Sequence, residues 1–134
     1  MVNPLYIVWK DEFNLEIPIL DEQHHAIVAT INSLYFFIQE GWGLAALTPT
    51  LNIIKTYSAF HAKTEEGVLI KLNYPSLIHH IECQKSFEKE VNEATNEALL
   101  YKDPQILLKF LRTWWLNHLN TEHPEYADYF NKLK

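Results

Sequence analysis

Glycine is scarce in this sequence, with three in 134 residues, and prolines number only six. Few turns can rely on left-handed backbone, so the chain reads as long helices joined by short loops. Cysteine is scarcer still. Cys83 is the one thiol, which excludes an intrachain disulfide and fits a reducing compartment. Basic residues are outnumbered, eleven Lys and Arg against seventeen Asp and Glu, for a formal charge of −6. That balance excludes the basic footprint of a nucleic-acid binder. Apolar runs long enough to span a bilayer are absent, so no membrane partner is expected. Met1-Val2-Asn3-Pro4 lacks a basic start followed by an apolar stretch, so no signal peptide is read and the cytoplasm is the expected location. What the chain has in quantity is apolar surface. Hydrophobic residues make up 48% and charged residues 21%, the balance of a globular protein. Its length fits one domain, 1–134, able to bury a core without covalent staples.

Four segments carry the helical period, and none shows strand alternation. Residues 1–18, with Tyr6, Trp9 and Phe13, read as an ordered arm. The first helix is expected over about 19–40, with Leu20, His24, Ile27, Ile31, Leu34 and Ile38 on one stripe and Gly41-Trp42-Gly43 as its stop. The second is expected over about 48–72, through Leu51, Ile54, Ser58, His61, Glu65, Val68 and Leu72. Thr48 is read as its N-cap and Pro49 as its first turn. The third spans about 75–100, through Leu77, His80, Gln84, Phe87, Val91 and Ala98. The fourth spans about 104–122, through Leu107, Leu111, Trp114 and His118, capped by Asp103 and opened by Pro104. A short terminal helix is expected over about 124–133. Together these predict an all-α, up-down-up-down four-helix bundle with an ordered N-terminal arm and a short C-terminal helix.

The stripes are not wholly apolar. His24, His61, Glu65, His80, Gln84 and His118 all fall on inward faces. One buried histidine is ordinarily a satisfied core residue. Six polar groups need a shared explanation, because burying an ionisable group without a partner is costly. Their levels agree as well. His24 lies near the start of the first helix, His61 and Glu65 toward the end of the second, His80 and Gln84 near the start of the third, and His118 near the end of the fourth. In an antiparallel bundle those positions share one end. His61-x3-Glu65 and His80-x3-Gln84 each put two side chains on one helix face. Neutral imidazole ligates metals and a carboxylate can bridge two ions. Such donors suit iron, zinc or manganese, and affinity order alone does not choose among them.

These residues also carry a family likeness. Trp9-x3-Phe13-x-Leu15-x-Ile17-x2-Leu20-Asp21-x-Gln23-His24, then His61-x3-Glu65-Glu66, then Tyr74-Pro75-x4-His80 with the later Phe87, and finally Trp115-Leu116-x-His118 occur in order along nearly the whole chain. The sequence resembles the bacterial hemerythrins. That resemblance implies two non-haem iron ions, one held by two histidines at positions matching His24 and His61. The other ion takes three histidines, two of them matching His80 and His118, and Glu65 matches a bridging glutamate. It further implies binding of dioxygen, or a related diatomic ligand, for storage, delivery or sensing. The protein partner is unspecified.

Two positions depart from the family pattern. Gln84 stands where the third histidine of the crowded iron is expected, and His123 where a second bridging carboxylate, an aspartate, is expected. A glutamine amide oxygen is a poorer ligand than imidazole, and a lost anion leaves the site more positive in a low-dielectric interior. Glu122 is a replacement candidate, because it lies about 40° around the helix from His118, whereas His123 lies about 140° around. Pro124 biases His123 out of helical geometry, which could turn it inward instead, so both stay candidates. His25, His79, Glu22, Glu66 and Cys83 fall about 100° off the stripes and read as surface or supporting groups. The expected function is small-ligand binding at an altered diiron site. An oxidase-like or peroxidase-like diiron enzyme and a metal-handling protein with one or exchangeable ions (zinc or manganese included) are the alternatives.

Overall fold

The computed structural model describes residues 5–73, 75 and 77–132, with the backbone alone for 121–132. Four helices follow a short 3-10 turn at Asp11–Phe13: α1, Pro18–Gln39; α2, Gly43–Lys71; α3, Leu77–Leu100; and α4, Gln105–Lys132. Each packs on its neighbour in sequence, and α1 meets α4, which closes the antiparallel ring. None is long and apolar enough to cross a membrane among the described residues.

The arm is tied to α1 by side chains that replace backbone pairing. Asn32 Oδ1 accepts from the N–H of Tyr6 and of Ile7, at 2.9 and 2.8 Å, while its Nδ2 donates to Ile7 O at 2.9 Å. Asp21 does the same for the start of α1, accepting from Leu15 N at 2.8 Å and Glu16 N at 3.1 Å. Those bonds hold Glu16 at φ 60°, a left-handed conformation that costs energy in a residue with a Cβ. Phe13 is buried, and Tyr6 and Trp9 pack against the core as expected.

The ends of the helices follow turn chemistry. α1 stops before Gly41, which takes φ 82° at no steric cost. Gly43 is required for another reason. A Cβ there would lie 2.7 Å from Pro104 Cγ and 2.8 Å from Ile38 Cγ1, so the start of α2 sits directly on the α3–α4 loop. Asp103 Oδ1 accepts from Gln105 N at 3.0 Å, the expected cap of α4.

Two boundaries differ from expectation. α2 begins at Gly43 and carries Pro49 inside it, so Thr48 and Pro49 do not open the helix. Pro49 forfeits a hydrogen bond to Ala45. That loss is offset because the added turn buries Ala46 and Leu47, the latter completely. At the other end, α4 runs unbroken to Lys132, so the segment after Pro124 continues α4 instead of forming a separate short helix. The bias of Pro124 against helical geometry at His123 is overridden there, and one absent N–H is the tolerated cost.

The core is divided in two. A large cluster joins Ile27, Ile31, Leu34, Leu47, Ile54, Phe87, Leu111 and Trp115. A smaller one joins Leu15, Ile17, Leu20 and Leu69, with Leu77 against it. On each of α1 and α3, a histidine separates the two: His24 lies between Leu20 and Ile27, and His80 between Leu77 and Phe87. A buried polar layer thus lies inside an apolar sleeve.

Candidate metal centre

Glu65 is the hub of that layer. Its side chain is 1% exposed, so an ionised carboxylate there must be compensated by close partners. Four buried imidazoles supply them, each through Nε2. His61 Nε2 lies 2.6 Å from Glu65 Oε1, His24 Nε2 lies 3.3 Å and His118 Nε2 lies 3.7 Å from the same oxygen. His80 Nε2 lies 2.8 Å from Oε2. The carboxylate therefore reaches both sides of the layer. Ligand atoms of His24, His61, Glu65 and His118 all fall within 4.8 Å of one another.

Helix geometry explains the convergence. The i,i+4 spacing stacks His61 and Glu65 on one face of α2. Trp114, four residues before His118, stacks on its ring at 4.9 Å and 21°, while Trp115 meets it edge-on at 5.3 Å. The two indoles leave His118 little rotational freedom.

The protonation of His61 is dictated by its far side. His61 Nδ1 lies 2.7 Å from Gln23 Oε1. Gln23 Nε2 donates to Thr64 Oγ1 at 3.1 Å, and Thr64 Oγ1 donates in turn to Phe60 O. The chain of donors orients the amide, so an oxygen, which only accepts, faces His61. Nδ1 therefore donates to Gln23, which makes Nε2 the nitrogen with which His61 can ligate. Nε2 faces Glu65 Oε1 at 2.6 Å and His24 Nε2 at 2.7 Å. Atoms this close need a proton or a metal cation among them. Burial pushes the His24 imidazole down to about 4, opposed in part by its hydrogen bond with Glu65, so His24 is neutral near pH 7 and also has a lone pair to give. The donor set of imidazole and carboxylate fits a first-row transition metal.

Gln23 and Thr64 are site residues that a stripe count misses, because Gln23 lies about 100° around α1 from His24. It is nonetheless only 4% exposed, since it faces α2. A buried amide immediately before a ligand-type histidine is the signal that could have found it.

The departing positions have different outcomes. Gln84 is half-buried one turn beyond His80, with its amide Nε2 buried and without a hydrogen-bond partner among the described residues. The side chains of Glu122 and His123 lie outside the described residues. His79, exposed, and Cys83, half-buried, line a cavity between α3 and α4 that His118 also borders.

No family model matches the chain. Curated relatives do. It is 31% identical over 127 residues to a bacteriohemerythrin of Clostridium acetobutylicum, covering 90% of this chain and 98% of that protein. A bacteriohemerythrin of Stenotrophomonas maltophilia is 28% identical, covering 91% and 80% of the two chains. One of Pseudomonas aeruginosa is 29% identical, covering 92% and 80%.

Proposed function

The chain belongs to the bacteriohemerythrin family, and from that premise we propose that it holds two non-haem iron ions and binds dioxygen or a related diatomic ligand. The observation that carries this reading is the set of four Nε2 atoms around one buried carboxylate. By the family resemblance His24 and His61 would hold one ion and His80 and His118 the other, although here His118 Nε2 approaches the same Glu65 oxygen as His24 and His61 while His80 takes the second oxygen. Bound iron supplies the redox-active cation to which a small ligand attaches reversibly.

The chain's own residues do the rest. Gln23 holds the His61 proton on Nδ1 and leaves Nε2 for the metal. Leu20 and Leu69 on one side of the layer, and Ile27 and Trp115 on the other, are buried apolar side chains that border it.

At the altered half, Gln84 offers an amide where an imidazole is expected, and Glu122 or His123 is left to supply the further donor. A weakened half-site also favours a second reading, a metal-handling chain with one tight ion. The two readings separate on anaerobically reduced protein. Reversible oxygen binding gives a visible charge-transfer band that rises on oxygenation and falls when oxygen is removed. A spectrum that never changes contradicts the proposed function, and steady consumption of oxygen would make the chain an enzyme instead.

A further inference from the structure

We propose that Ser58, Gln84 and Trp115 form a level of hydrogen-bond donors beside the histidine layer. They grip the outer end of a small ligand and select molecules that carry acceptor atoms there, small inorganic anions above all. The inference rests on the metal reading proposed above and deepens it.

Ser58 Oγ, Gln84 Nε2 and Trp115 Nε1 are buried, and none has a hydrogen-bond partner among the described residues. Ser58 is 0% exposed and Trp115 1%. A buried donor left unpaired is costly, so three of them at one level call for a shared acceptor. Ser58 carries the argument furthest. Thr30, Ser33 and Thr95 each donate to the carbonyl four residues earlier, at 2.9, 2.8 and 2.8 Å, the usual habit of a helix hydroxyl. Ser58 makes no such bond.

Their placement is shared. Ser58 precedes His61 by three residues on α2, Trp115 precedes His118 by three on α4, and Gln84 follows His80 by four on α3. α2 and α4 run opposite to α3, so all three steps lead the same way, about 4.5–6 Å along the bundle toward the large apolar cluster. Ile27, three residues after His24, completes the level on α1 as its apolar member. The Trp115 ring lies 6.1 Å from that of His61 and 6.3 Å from that of His24. A molecule of two or three atoms held at those histidines extends into this level. Indole N–H and amide NH2 donate and do not accept. A ligand with lone pairs on its outer atoms therefore gains hydrogen bonds here, and one with weak acceptors gains nothing.

Azide titration of the oxidised, iron-loaded full chain tests this. Azide is a linear three-atom anion with acceptors at both ends, and its bond to ferric iron gives a visible charge-transfer band. Ser58→Ala and Trp115→Phe each delete one donor, keep most of the bulk and touch no residue assigned to the metal. Each variant should need at least about tenfold more azide for half-saturation, the worth of a hydrogen bond to a charged acceptor. Iron per chain should match the parent. Without azide, iron-loaded Ser58→Ala should unfold at the same or a higher denaturant concentration, because an unpaired buried hydroxyl contributes no bond to the fold. A parent without iron overturns the metal reading and this inference together. A parent that holds iron but binds no azide, variants that bind azide as tightly as the parent, or a Ser58→Ala chain less stable than the parent overturns this inference alone.

Discussion

Gln23 Oε1 sits 2.7 Å from His61 Nδ1, and this one bond decides which nitrogen of His61 is free. Replacing Gln23 with leucine keeps the bulk and removes the acceptor. The imidazole then loses its tautomer lock, and metal affinity should fall by about 10–100-fold, the usual cost of losing an orienting partner. Competition with a chelator of known affinity measures it. Unchanged affinity would mean that Gln23 only packs.

Among the described residues, Glu65 is the carboxylate that all four histidines approach. Glu65→Gln keeps its shape but removes the charge that offsets a dication. Metal content should drop to less than half that of the parent, while helix content stays the same, because the apolar clusters on either side of the layer are untouched. Atomic absorption together with circular dichroism checks both halves of this prediction.

The altered half-site makes a gain-of-function prediction. Gln84→His combined with His123→Asp restores the donors that the family resemblance leads one to expect. The double variant should hold its second ion more tightly and bind oxygen better than the parent. Titration of oxygen against the visible band measures the change. If the double variant binds no better, these two positions do not limit the site.

Stability and metal binding should separate at Asn32. Its three hydrogen bonds to Tyr6 and Ile7 hold the arm about two helical turns along α1 from His24. Asn32→Ala should cost about 1–3 kcal/mol of unfolding free energy, the usual effect of leaving such backbone groups unpaired. Chemical denaturation measures the loss, and iron per folded chain should not change.

Much of this architecture was legible in the residues. The stripe positions of His24, His61, His80 and His118 placed four buried imidazoles at one end of the bundle, because the helical period fixes both face and level. Asp103 announced the start of α4. Other features were hidden. Thr48-Pro49 carries a strong local start signal, yet the burial of Leu47 against neighbouring helices outweighs it, and local chemistry cannot weigh tertiary contacts. Pro124 also reads as a local break, although α4 continues through it. Gln23 escaped because one helix in a bundle faces two neighbours, and a single stripe describes only one of them.

The central claim is that the layer around Glu65 holds two irons. Its most direct test is metal content per chain, on protein purified without added metal, beside the same measurement on His61→Ala. The account predicts about two irons in the parent and loss of at least one in the variant, since neutral imidazole lone pairs supply the binding. No iron in the parent, or full iron in His61→Ala, would contradict it.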